Sequence, residues 1–155
     1  MSHVTGYREI TAIRFKRVHI HLSADDRTGH WWFEIGDPAS PDSESFGWWP
    51  ESDVDSYANV LFGVAGILNN GLYGCNPPRD PRHSQSADEE FHPLVPVHDK
   101  RTDEQIAKCL RDFALAYSGK WQWCIGWGRN CHTFQREALQ HCKLGVPSGV
   151  RKVKL

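Results

Sequence analysis

The chain has 155 residues, 18 Lys and Arg against 19 Asp and Glu, and a formal net charge of -1. That balance gives no electrostatic basis for nucleic acid or an anionic membrane as the main partner. No apolar run approaches the roughly 18–20 residues needed to span a bilayer, and the N-terminal "MSHVTGYREITAIRFKR" lacks the apolar centre of a signal peptide. The expectation is one domain over 1–155, with its core at about 10–145, made in the cytoplasm or exported by a route without a cleaved signal.

The first pattern is "ITAIRFKRVHIHLS" from Ile10, with apolar positions at Ile13, Phe15, Val18, Ile20 and Leu22. Their parity slips between Phe15 and Val18, which predicts a bulge or a break in a strand. "ADDRTG" reads as a turn, and "HWWFEIG" from His30 as the second strand of a hairpin. After the polar "DPASPDSE", "SFGWWP" supplies a third strand stopped by Pro50, so the first third reads as an antiparallel meander. "DVDSYANVLFGVAGILNNG" has the spacing of a short helix, weakened by Gly63 and Gly66. Residues 72–101, rich in Pro, His and charge, read as a long irregular loop that sets specificity.

"TDEQIAKCLRDFALAYSG" is the clearest helix. Thr102 and Gln105 make a capping box, an apolar stripe runs through Ile106, Cys109, Leu110, Phe113 and Tyr117, and Gly119 ends it. "KWQWCIGW" follows as a strand, then a turn leads into a last helix from Cys131 to about Lys143, with Asn130 as N-cap. Residues 145–155 form a tail.

Five cysteines are an odd count, and no C-x-x-C pair occurs, which predicts reduced thiols and excludes a zinc ribbon. Cys109, Cys124 and Cys142 read as small hydrophobes. Cys131 is different, because the first turn of a helix offers free N–H groups and the positive end of the dipole to a thiolate. Its own N–H is also a candidate oxyanion donor.

A thiol nucleophile needs a base, and nine histidines offer themselves. His132 is about 100° round the helix from Cys131 and is expected to face away. His141 lies at the far end of that helix, and His83, His92 and His98 lie in the irregular loop. His30, opening a strand after a Gly-containing turn, is the best placed.

The pair "GHWWFEIG" and, about a hundred residues on, "NCHTF" resembles the circularly permuted NlpC-type papain-like enzymes. Relatives of the lecithin retinol acyltransferase family belong to that group, with a His-Trp strand and an Asn-Cys-x-x-Phe helix start. The matching residues are His30, Trp31, Asn130, Cys131 and Phe134, in the permuted order His before Cys. The resemblance implies an α+β, papain-like fold: an antiparallel sheet packed against helices, with the nucleophile at a helix N-terminus. It implies a Cys-His hydrolase of amide or peptide bonds, foremost a peptidoglycan stem-peptide amidase or endopeptidase such as a bacterial effector or phage-associated lysin. An effector would also have an immunity or carrier protein as partner.

No cofactor or metal is expected. The family's third polar residue lies on the strand after the His strand, where the acyltransferases would show a second His. Here Glu44 is the substitute, or Ser45 if the parity differs by one.

Two alternatives stand beside that reading: a thioester-forming lipid acyltransferase or deacylase, and a non-enzymatic Trp-rich module that binds sugar or peptide. Seven tryptophans cluster along the chain, and Trp31, Trp32, Trp48 and Trp127 either wall a cleft or fill the core. A metal site is a further rival, from His19 and His21 on one strand face and His83, Asp88, Glu89 and His92 in the loop.

Overall fold

The computed structural model describes residues 6–19, 29–50, 64–74, 76–118, 120–121 and 130–150. In chain order these form β1 (Tyr7–Glu9), β2 (Ile13–Val18), β3 (His30–Ile35), β4 (Glu44–Pro50), β5 (Val64–Leu68), a 3-10 turn (Asn69–Gly74), β6 (Glu89–Phe91), β7 (Leu94–Pro96), α1 (Asp103–Ala116), β8 (Lys120–Trp121) and α2 (Cys131–His141). The strands β6-β2-β3-β4-β5-β8 make one six-stranded sheet, antiparallel throughout, and β1 pairs with β7 apart from it. The β2–β3–β4 meander is as the alternation of the sequence predicts, and the chain is of the expected mixed α+β class.

Register decides which side chains share a face, because successive residues of a strand point to opposite sides. Ile13, Phe15 and Arg17 stand opposite Ile35, Phe33 and Trp31, and Phe33 opposite Phe46. This face carries the core, where Phe15, Phe33, Phe46 and Trp48 pack with Ile106, Leu110, Ala114, Phe134 and Ala138 of the helices. The other face carries His30, Trp32 and Glu34 from β3, with Ser45 and Gly47 from β4. The segment from Pro78 to Gln85 lies against it, through Ser45 N–H to Pro78 O at 3.1 Å, Ser84 N–H to Glu34 Oε2 at 2.7 Å and Lys16 Nζ to Gln85 O at 2.6 Å.

Four expectations are corrected. β2 has no bulge between Phe15 and Val18: each residue has a single partner on β3, and the parity slip is Arg17 taking a core-face position. Arg17 is tolerated there because Gln135 and Glu89 accept its N–H groups at 2.8 and 2.9 Å, and its guanidinium lies 4.0 Å over the ring of Trp31. Residues 64–68 are a strand rather than part of a helix; the rest of that predicted helix, 53–63, lies outside the described residues. Gly66 suits the strand, since a Cβ there would collide with the ring of Trp48. The 72–101 stretch contains β6 and β7, anchored by buried Phe91 and Val95. Finally, Cys109 and Cys142 are joined by a disulfide, tying α1 to the end of α2, with Cα atoms 5.9 Å apart.

The capping box of Thr102 with Gln105 holds, and Asn130, expected as an N-cap, makes a second one with Thr133. Helix α1 stops at Ala116 with Tyr117 as its C-cap, and α2 stops at His141. The predicted end signal Gly119 is not among the described residues, nor are His21, Trp123, Cys124 and Trp127. No helix among the described residues is long and apolar enough to cross a membrane.

Candidate active site

Cys131 opens α2 because Asn130 caps it. The Asn130 side-chain oxygen accepts the N–H groups of His132 at 2.9 Å and Thr133 at 3.2 Å, and Thr133 Oγ1 accepts the N–H of Asn130 at 2.7 Å. The cap thus uses the second and third N–H groups of the helix and leaves that of Cys131 without a partner among the described residues. The thiol is the one free cysteine described, and it is 2% exposed.

His30 enters β3 behind Gly29, whose φ of 68° lies in the left-handed region that glycine adopts without cost. Its ring is enclosed between Trp49, with centroids 4.0 Å apart, and Trp32, stacked at 5.6 Å and 9°. Nε2 of His30 lies 3.0 Å from Asp80 Oδ2. That leaves Nδ1 as the nitrogen available to the thiol, and His30 and Cys131 each shift the other's ionisation. Cys131, His30 and Asp80 therefore form a line of thiol, imidazole and carboxylate, the order in which a nucleophile, its base and an orienting group would stand.

Asp80 is the residue that sequence reasoning missed. Its carboxylate also accepts Trp49 Nε1–H at 2.7 Å and Arg82 N–H at 2.8 Å, and its own N–H is held by Ser45 Oγ at 2.7 Å. Gly47 makes the approach feasible, since a Cβ there would stand 2.7 Å from His30 Nε2 and closer still to Asp80 Oδ2. That glycine, one strand over from "HWW", was a signal available in "SFGWWP".

Glu44 does not serve as the orienter. It sits opposite Ile35 on the core face, at the other end of β3 from His30, and takes a two-pronged bond from Arg111 at 2.7 and 2.6 Å. Ser45 shares the face of His30, yet its hydroxyl meets the N–H of Asp80 at 2.7 Å and Nδ1 of His83 at 2.8 Å instead. Burial pushes the His83 imidazole below its usual range; Glu34 opposes this, while Arg79, Arg14 and Lys16 reinforce it. The supporting loop is fastened from below by Glu34. This carboxylate is wholly buried, accepts from Trp32 Nε1 at 2.9 Å, and lies 3.4 Å from both Arg14 and Lys16.

His132 also departs from expectation. It stacks on Trp31 with centroids 4.0 Å apart, and its Nε2 is buried without a hydrogen-bond partner among the described residues. Trp31, Trp32 and Trp48 are each buried, with faces against the protein's own side chains rather than an open cleft. Of the residues read as a metal site, His83 bonds Ser43 and Ser45, His92 bonds Ile13 O, Glu89 bonds Arg17, and Asp88 caps the N–H of His19. Among the described residues no three His, Cys, Asp or Glu side chains gather into a metal-binding group.

The electrostatics favour a charged pair. Burial alone would push the thiol up, but hydrogen bonds from His132 and His30, and their charge, bring Cys131 down to about 6. Burial alone would push His30 down, but the charge and hydrogen bond of Asp80, with Cys131 adding, raise it to about 9. Near neutral pH the site is a thiolate beside an imidazolium. No family model matches the chain, and neither the curated proteins nor the solved structures give a match.

Proposed function

We propose that the chain is a cysteine hydrolase that opens an amide or peptide bond through Cys131 and His30, with Asp80 holding the imidazole. The observation that carries this reading is the line Cys131–His30–Asp80 at a capped helix start, 2.7–3.0 Å hydrogen bonds fixing the carboxylate end. The thiolate attacks the carbonyl carbon, and the N–H of Cys131 donates to the developing oxyanion. His30 gives its proton to the leaving amine as the C–N bond breaks, leaving a thioester on Cys131. Water, deprotonated by His30, attacks that thioester; the C–S bond breaks, the acid leaves, and the pair is restored.

The likeness to permuted NlpC-type papain-like enzymes supports the same chemistry, through His30 and Trp31 on a strand and Asn130, Cys131 and Phe134 on a helix. On that likeness, the fold is papain-like and the substrate is a peptidoglycan stem peptide. A Trp-rich binding module is less well supported, because Trp31, Trp32 and Trp48 spend their faces inside the protein.

The test is limiting iodoacetamide at about pH 6, where an ordinary thiol is almost wholly protonated, with the adduct located by mass spectrometry. Cys131 should be labelled ahead of every other thiol, and His30→Ala should slow it. Purified stem peptides should then be cut by the wild type and left intact by Cys131→Ala. Equal labelling of all free thiols overturns the reading.

A further inference from the structure

Asp80 is held by its backbone as well as by its carboxylate. The carboxylate meets His30, Trp49 and the N–H of Arg82. On the backbone side, Ser45 Oγ accepts the Asp80 N–H at 2.7 Å, and the N–H of His83 donates to Asp80 O at 2.9 Å. A hydroxyl has a single proton to give, so its neighbours decide where that proton points. Ser43 Oγ lies 2.9 Å from Ser40 O, which can only accept, and the Ser43 proton therefore goes there. Toward His83 Nε2, at 3.0 Å, Ser43 is then an acceptor, and that nitrogen carries the ring proton. Nδ1 of His83 is left as a bare acceptor, 2.8 Å from Ser45 Oγ, and takes the Ser45 proton. Four hydrogen bonds thus run in one direction, from Asp80 N–H through Ser45, His83 and Ser43 to Ser40 O.

We propose that Ser45 and His83 are positioning residues for the reaction: the neutral His83 ring takes the Ser45 proton, and Ser45, so oriented, fixes the Asp80 backbone and with it the carboxylate against His30. This rests on the reading of Cys131, His30 and Asp80 as the reacting line. The surroundings of His83 favour the neutral ring. Burial acts first, and Arg79 from its own segment with Arg14 and Lys16 from β2 add to it, against the opposing charge of Glu34 from β3. A second ring proton, on Nδ1, would turn that nitrogen into a donor toward Ser45 Oγ. Ser45 would then face two donors, the other being the Asp80 N–H, and its own proton would lose its acceptor.

The test follows the ring titration of His30 by NMR in the wild type, Ser45→Ala, His83→Phe and His83→Asn, with iodoacetamide alkylation of Cys131 on each and thermal melting as the check on folding. In the wild type His30 should hold its proton to about 9. Ser45→Ala and His83→Phe should each lower that midpoint by about one pH unit, and hydrolysis of stem peptides should lose about tenfold in kcat with KM unchanged. His83→Asn, whose amide oxygen accepts where Nδ1 does, should restore both. A merely structural role would lower the melting temperature and leave the His30 titration where it was. Should the variants fail to fold, the ring-nitrogen shifts of His83 in labelled wild-type protein decide: a neutral ring protonated at Nε2 supports the proposal, and a ring protonated at Nδ1 overturns it. A wild-type Cys131 no more reactive than a free thiol overturns the hydrolase reading itself. A reactive wild type whose His30 midpoint is unmoved in folded Ser45→Ala or His83→Phe overturns the positioning role alone.

Discussion

Gly47 governs how closely the carboxylate of Asp80 can approach His30, and a single methyl group tests that. Gly47→Ala places a Cβ against both His30 Nε2 and Asp80 Oδ2. It should destabilise by about 1–3 kcal/mol, as overpacking does, seen as a lower melting temperature, with hydrolysis falling further than stability explains. Asp80→Asn keeps the volume and removes the charge that raises His30. Hydrolysis should then drop by roughly two to four orders of magnitude, in line with the loss of a triad carboxylate elsewhere. The alkylation midpoint of Cys131 should rise toward that of an ordinary thiol. At this scale the sequence spoke clearly for Cys131 and His30 and not for the third residue. Glu44 lay on the expected strand, but the register against Ile35 turns it to the core face and to Arg111. Asp80 lies fifty positions from His30, in a stretch without periodicity, and only tertiary contact brings the two together.

Helix α2 starts at a full cap, with Asn130 and Thr133 satisfying each other's backbone N–H groups. Asn130→Ala frees the N–H groups of His132 and Thr133 and should cost about 1 kcal/mol. Because those groups flank the nucleophile, the same variant should slow alkylation of Cys131 while Asn130→Asp largely preserves it; stopped-flow labelling reads both. The caps were legible because capping boxes are written in adjacent residues: Thr102 with Gln105 held as read, and Asn130 was a recognisable N-cap. The Val64–Leu68 strand was not, since "VAGIL" is a short apolar run that serves strand or helix equally. Nor was Arg17 on the core face, whose place depends on Gln135, Glu89 and Trp31 supplied from three other elements.

For the molecule as a whole, the two charged partners define a working range of pH. Below about 6 the Cys131 thiol takes up its proton and the nucleophile is lost. Above about 9 His30 gives up its proton and no acid remains for the leaving amine. Hydrolysis should therefore follow a bell with limbs near those values, whereas alkylation, which needs only the thiolate, should rise through the acid limb and stay high beyond the alkaline one. Measuring both on one preparation separates the two groups. The order of the meander was readable because alternation fixes faces. The closure of β5 onto β8 and of β6 onto β2 was not, because strands of two to five residues carry too little pattern.

The disulfide between Cys109 and Cys142 also bears on how the protein ages. Peroxide attacks thiolates first, and a sulfenic acid is rescued when a neighbouring thiol condenses with it. The two cysteines at the base of α1 and α2 have already spent their thiols on each other, and Cys131 is the one free thiol among the described residues. Once oxidised, its sulfur has no partner thiol among the described residues, and it should need an added thiol to return before it proceeds to the sulfinic acid. Peroxide-treated protein should recover hydrolysis with prompt dithiothreitol and lose that recovery as treatment lengthens, with intact mass following the added oxygens.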